Sequence, residues 1–304
     1  MRNKILKEKL IINFPFTPTK EQKNLIINLS EFITIIDNKS LFLLKGYAGT
    51  GKTTIVASLV KSLPILGKRS VLLAPTGKAA KVLSKYSKKS ASTIHKKIYW
   101  IRTNKKGNTY ITLKENTHTN TVFIVDEASM IPGNSDSGFA NRSLIDDLIE
   151  YVNKGVDCKL ILIGDTAQLP PVHLNISPAM DKDFLVSQYN KEVITEELTQ
   201  VVRQKKNSEI LKNATSLRNQ ITGEDFAFPK FKTNTDVIRI ETGEELQDAL
   251  ETAYSQCGIY NTTVICRSNK RANLYNQQIR TKIRWQEETR LIVMTYLYII
   301  SLVG

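Results

Sequence analysis

Nearly unbroken apolar runs punctuate the first two hundred positions: LFLLKG (41–46), SVLLAPT (70–76), TVFIVDE (121–127), KLILIGD (159–165) and EVITEEL (192–198). Most lack the alternation of a half-exposed strand, which suits parallel strands covered on both faces. Helix-like segments separate them, the pattern of a doubly wound α/β domain. One segment breaks it. KIYWIRTNKKGNTYITL (97–113) has flanks rich in Ile, Tyr, Thr and Trp around a turn-like Asn-Lys-Lys-Gly-Asn centre, and reads as an inserted β-hairpin. The first domain is expected over 1–223, with a boundary segment over 224–236. DVIRI (236–240), a helix near 244–256, TTVICRS (262–268) and a helix near 269–284 then open a second α/β unit over 237–290. The last stretch, LIVMTYLYIISLVG (291–304), is almost wholly apolar yet too short to span a bilayer, and a β-prone run of this kind aggregates when left without partners.

Charge changes the picture. The first 120 residues hold 23 Lys and Arg against 5 Asp and Glu, while the remaining 184 hold 20 against 24. Ten basic residues and no acidic one lie between Gly77 and Lys106. A basic track beside an acidic half points to a polyanion, nucleic acid first, over a merely solvated face. The three cysteines show no metal-ligand spacing and suit a reduced, cytoplasmic protein. The N-terminus mixes Lys and Glu through its apolar residues, unlike a signal peptide.

The candidate chemistry begins at GYAGTGKT, which matches G-x-x-x-x-G-K-[ST] between a strand and a helix. Gly46, Ala48, Gly49, Thr50, Gly51 and Thr54 supply backbone that can turn its N–H groups onto phosphate oxygens at the start of the helix. Lys52 is placed to bridge the β- and γ-phosphates of ATP, and Thr53 to ligate Mg²⁺. In TVFIVDEAS the buried strand delivers an acidic pair to its C-terminal edge: Asp126 for the Mg²⁺ shell, Glu127 to orient and deprotonate a water. LILIGDTAQLPPV adds Gln168, a neutral amide able to donate to a γ-phosphate oxygen, ahead of the stiff pair Pro170-Pro171. The alternative for Gln168 is a solvent-facing position in a proline-rich connector.

Six stretches in order, GYAGTGKT, APTGKAA, STIHKKI, FIVDEASM, GDTAQLPP and ELTQVVRQ, resemble the motifs of superfamily 1 DNA helicases, most of all the RecD-like and Dda-like group that moves 5′→3′. The resemblance covers about 16–283. It implies a RecA-like ATP-binding motor domain and the start of a second one. It implies that Gln22, in FTPTKEQ, reads the adenine edge. It also implies that Arg203 reaches the γ-phosphate, where a planar cation suits the developing charge. Thr76, Lys78, Thr93 and His95 are then expected along single-stranded DNA, contacting its backbone without reading sequence. The hairpin falls where this group carries a strand-separating pin. Trp100 or Tyr99 either stacks on the last base pair of a duplex junction or packs the hairpin onto the domain.

The chain departs from that pattern near its end. The second-domain motifs T-x-H-K-S-Q-G and V-A-[IL]-T-R do not occur, and the resemblance stops after VICRSNKRANLYNQQIR. The expectation is an interrupted reading frame near Arg290, leaving nucleotide and DNA binding, a slow DNA-stimulated ATPase and no unwinding. Two alternatives stand beside an ATP-dependent DNA helicase: an RNA-directed superfamily 1 motor, and a nucleotide-gated DNA-binding module without motor activity.

Overall fold

Continuous apolar strands need cover on both sides, and the computed structural model supplies it. The structure describes residues 2–37, 39–103, 109–133, 142–202, 208–223, 225, 227–259 and 261–283. Two compact units divide the chain, Met1–Gln204 and Lys205–Gly304.

In the first unit six parallel strands form one sheet: β1 (Ser40–Gly46), β2 (Arg69–Ala74), β3 (Ala91–Thr93), β6 (Thr119–Val125), β7 (Val156–Gly164) and β8 (Glu192–Leu198). Their order across the sheet is β3-β2-β6-β7-β1-β8. All five expected strands are present, and their C-terminal ends share one edge. The helices are α1 (Arg2–Asn13), α2 (Lys20–Thr34), α3 (Lys52–Ser62), α4 (Gly77–Ser87), α5 (Ile94–Ile98), α6 (Leu144–Asn153) and α7 (Lys182–Tyr189). Consecutive strand residues point to opposite faces, and both are apolar. Leu41, Leu43, Phe123, Val125, Leu160 and Leu162 meet Ile145, Leu148 and Val152 of α6. On the other face Phe42, Leu44, Val122, Ile124, Ile161 and Ile163 meet Leu25 and Leu29 of α2 and Ile55 and Leu59 of α3. Each fully buried side chain of this size contributes about 1.5–3 kcal/mol.

Local signals explain the helix ends. Thr19 and Gln22 form a capping box that starts α2, and Ser143 with Asp146 does the same for α6. α1 went unread in the sequence. Its Leu6 and Leu10, one helical turn apart, are fully buried against the α2–α3 layer.

The insert pairs as an antiparallel hairpin, β4 (Tyr99–Thr103) with β5 (Thr109–Leu113), in the register Trp100 opposite Thr112 and Arg102 opposite Tyr110. Lys97 and Ile98, at its expected start, belong to α5 instead.

The second unit differs from expectation. The division at Gln204 and Lys205 precedes the expected 224–236 boundary, which groups α8 (Glu209–Thr222) with the second unit. The expected helices appear as α9 (Gly243–Cys257) and α10 (Asn269–Gln278). The stretches 236–240 and 262–268 are not strands. Asp236 accepts from Ser208 Oγ (2.6 Å) and Glu209 N (3.2 Å), capping α8, while Lys232 exchanges two hydrogen bonds with the Asn213 amide. In this unit Asn234 and Val237 form an isolated bridge, and Cys266 also stands in a bridge. The 291–304 stretch lies outside the described residues. No helix among the described residues is long and apolar enough to cross a membrane.

Candidate nucleotide site

The loop Tyr47–Gly51 leaves β1 and enters α3 through two glycines in the left-handed region, Gly49 (φ 82°) and Gly51 (φ 97°). A side chain at Gly51 would also meet Gln22 Nε2 at 2.7 Å. Both facts demand glycine. Gly51 caps α3 without a side-chain acceptor, whereas Thr19, Thr76, Thr93, Ser143 and Asp181 cap their helices with side-chain oxygens. The first N–H groups of α3 are thereby left for an anion, and the helix dipole favours one.

A cavity of about 890 Å³ lies over this loop. Beside the loop are Lys52, Thr53, Thr54, Asp126, Glu127 and Gln168, brought from three separate segments. β7 lies between β1 and β6 in the sheet, so the acidic pair reaches the loop across the end of an intervening strand. Lys52 Nζ donates to the carbonyls of Gly46 and Tyr47, the latter at 2.9 Å. Thr50 Oγ1 ties the loop internally, donating to Tyr47 O at 2.8 Å.

The two carboxylates differ in their surroundings. Burial pushes the Asp126 pKa up, against the opposing pull of the Glu127 N–H, which donates to Asp126 Oδ1 at 3.0 Å, and of Lys52. Burial, and then the neighbouring Asp126 charge, push Glu127 up as well, with Lys52 and a hydrogen bond from Gln168 opposing. Gln168 thus touches the candidate base directly. Its loop is shaped by Asp165, whose Oδ1 accepts from Ala167 N at 2.9 Å and whose carbonyl accepts from Gln168 N at 3.2 Å. A buried acidic pair with so little compensation fits a divalent cation, with Asp126 and Thr53 the residues that would hold Mg²⁺.

Sequence reasoning missed the other end of the cavity. Phe14, Pro15 and Phe16, from the α1–α2 connection, join Lys61 of α3 and Tyr86 of α4 there. Phe14 is buried and meets Phe16 edge-on at 6.5 Å, leaving Phe16 70% exposed as an apolar surface fit to receive a base. The cue was legible as the cluster NFPF just before the α2 cap. Gln22 lines the same cavity, but its amide is already engaged: Oε1 accepts from Thr19 N (3.0 Å) and Nε2 donates to Thr50 O (2.9 Å). An adenine edge would have to share it. Arg203 lies outside the described residues.

The candidate DNA residues gather on the same sheet edge. Ala74 of β2 is in register with Thr93 of β3, so the strand ends leading to Thr76 and ending at Thr93 lie side by side. Both threonines cap helices, accepting from Ala79 N and Lys96 N at 3.2 Å. Lys78 is exposed on the first turn of α4, and its pKa is lowered by partial desolvation. His95 is exposed, its ring 5.7 Å from Tyr99, and desolvation lowers its pKa too. The hairpin separates the two aromatic candidates. Trp100 is 54% exposed under the Lys114 ammonium (4.4 Å), whereas Tyr99 is buried and its hydroxyl donates to Asp147 Oδ2 at 2.7 Å. Burial followed by that carboxylate raises the Tyr99 pKa far above its ordinary value. The alternation of a strand sends neighbours to opposite faces, so Tyr99 has no ring face to offer a base.

A family model described as an AAA domain matches residues 20–241. The ATP-dependent DNA helicase dda of Enterobacteria phage T4 is 30% identical over 272 residues, covering 87% of this chain and 57% of the relative. The ATP-dependent RecD2 DNA helicase of Deinococcus radiodurans is 30% identical over 200 residues, 66% of this chain and 25% of the relative. A solved Pif1 helicase from Bacteroides, in complex with ADP-AlF3 and ssDNA, superposes with a TM-score of 0.47 at 19% identity, covering 90% of this chain and 58% of that one. The chain therefore spans little more than half the length of the first of these relatives.

Proposed function

The chain belongs to the AAA domain family, and from that premise we propose that it is the motor portion of an ATP-dependent DNA helicase, hydrolysing ATP to move along single-stranded DNA and part a duplex. The observation that carries this reading is the convergence of the glycine loop, Lys52, Asp126, Glu127 and Gln168 on one cavity.

Each group has work it can do. The α3 N-terminus and Lys52 hold the phosphates, Lys52 exchanging its present carbonyl partners for phosphate oxygens. Thr53 and Asp126 would hold Mg²⁺, which would supply positive charge beside the phosphates. Glu127 takes the proton of the attacking water, and Gln168 fixes the Glu127 carboxylate through its amide. The Gln168 amide has two N–H donors, so while one holds Glu127 the other is available to a γ-phosphate oxygen, and its loop can register whether that oxygen is present. Arg203 adds positive charge as the phosphoryl group departs. Thr76, Lys78, Thr93, His95 and Trp100 take the DNA strand along the neighbouring strand ends and the hairpin.

The test is the ATPase rate with and without single-stranded DNA, for the chain and for Lys52→Ala. Stimulation by DNA in the chain and loss in the variant, together with loss of nucleotide-dependent DNA release, is the expected result. DNA affinity that ignores both nucleotide and the substitution would replace the motor with a passive binding module.

A further inference from the structure

Glu127 leaves β6 in a left-handed backbone conformation, and its surroundings must hold it there. The chain beyond it makes a single 3₁₀ turn, Ala128–Met130, closed by Met130 N donating to Glu127 O at 3.0 Å. A second 3₁₀ turn, Pro178–Met180, packs against the first at the end of β7. The fit is tight: a side-chain carbon added at Gly164 would meet Met180 Sδ at 2.6 Å and Ser129 N at 2.9 Å. One side chain joins the two turns. Ser177 is 2% exposed, and its hydroxyl donates to Ile131 O at 2.7 Å and stands 3.1 Å from Ala128 O. Both of those residues are fully buried. The same oxygen accepts from Ala179 N at 3.3 Å, capping its own turn. Ser177 also ends the loop that begins at Gln168. Residues 168–176 belong to no helix or strand; Asp165 fixes the start of this loop and Ser177 its exit.

We propose that Ser177 is a positioning residue for water activation, clasping the turn after Glu127 so that the Glu127 carboxylate keeps its place beside Gln168. The inference rests on the reading of this site as an ATP hydrolase. A single hydroxyl ties the turn leaving Glu127 to the loop leaving Gln168. The left-handed conformation at Glu127 costs free energy, so it relaxes once its surroundings cease to impose it. Without the hydroxyl the buried Ile131 carbonyl loses a donor, and it regains one only if the turn shifts or water enters. Small misplacement of a catalytic group is expensive, a shift of about 1 Å costing up to about a hundredfold. Nucleotide binding is a separate matter: neither Ser177 nor its partners Ala128, Ile131 and Ala179 line the nucleotide cavity. A hydroxyl that merely packed the core would instead change stability and leave turnover untouched.

Steady-state ATPase kinetics with saturating single-stranded DNA, and binding of a fluorescent ADP, decide between these on the full chain. Ser177→Ala is expected to lower kcat by about ten- to a hundredfold, with ADP affinity unchanged within about twofold. Ser177→Cys, which keeps a weaker donor of similar shape, should fall between, and it serves if the alanine variant does not fold. In a Glu127→Gln background, followed by single-turnover hydrolysis, Ser177→Ala should add no further loss, since both act on one step. Unchanged kcat in the Ser177 variants, equal losses of kcat and ADP affinity, or a double variant whose losses multiply overturns the inference while leaving the ATPase reading intact. So does failure of both Ser177 variants to fold, which would make the hydroxyl a folding element. A chain that hydrolyses no ATP in the presence of DNA overturns that reading and this inference with it.

Discussion

Glu127 has φ 57° and ψ 37°, a left-handed conformation that a non-glycine residue adopts at a cost of roughly 1–3 kcal/mol. The strain turns the carboxylate toward the cavity immediately beyond the buried β6, while its N–H is spent on Asp126. Glu127→Gln keeps the shape and the backbone but removes the proton acceptor. ATP turnover should fall by about 10²–10⁴-fold with nucleotide binding retained, which single-turnover hydrolysis beside equilibrium binding would measure. Equal losses in both would make Glu127 a binding residue. Lys52, Asp126, Glu127 and Gln168 were legible because each sits at a fixed distance from a strand end. The partners of Gln22 and Ser177 were not, since capping boxes and contacts 46 residues apart leave no local pattern.

Among the elements, β7 carries a charge through the core. Lys159 is 1% exposed, and its ammonium donates to Asp37 O (2.7 Å), Asp37 Oδ2 (3.2 Å) and Ser40 Oγ (3.2 Å), 5.2 Å from the Phe32 ring. These contacts fasten the α2–β1 connection to the sheet. Burial alone would raise the Asp37 pKa, but the hydrogen bonds from Ser40 and Lys159 outweigh it and hold the group below its ordinary value. A depressed carboxylate stabilises the fold above its unfolded pKa and stops doing so as the pH falls through the folded one. Asp37→Asn should therefore cost roughly 2 kcal/mol at neutral pH, and its deficit in Tm should close as the pH drops below the ordinary carboxylate range. Thermal melts of both proteins from neutral to strongly acid pH check this; a deficit independent of pH would show that the charge is not what matters. The strands themselves were readable from unbroken apolar runs, yet 236–240 and 262–268 read the same way and are not strands. A strand exists only by pairing, and in these stretches side-chain oxygens serve helix ends instead: Asp236 at the start of α8 and Ser268 at the start of α10.

Among the described residues both hydrophobic clusters fall between Leu6 and Leu198. In the second unit the buried residues among those described are Asn213, Cys266, Ala272 and Ile279, while Phe228, Ile238 and Ile265 are each more than half exposed. The first unit accordingly has what independent folding requires, and the nucleotide cavity lies entirely within it. A fragment ending at residue 204 is predicted to keep the main cooperative thermal transition and nucleotide affinity, measurable by melting and by fluorescent-ADP titration. Loss of that transition would locate stability in the second unit instead.

The hairpin stands apart from the main sheet as its own two-stranded ribbon, closed at its foot where Lys114 N donates to Ile98 O at 2.6 Å. Because chain entry and exit are stitched together there, its span is free to vary without disturbing the path on either side. Two residues inserted in each arm would extend it by about 7 Å and preserve which side chains look outward; a single residue per arm would turn the aromatic surface over. Such a ribbon is an adjustable spacer, its reach open to change in even steps while the chemistry below it stays as built.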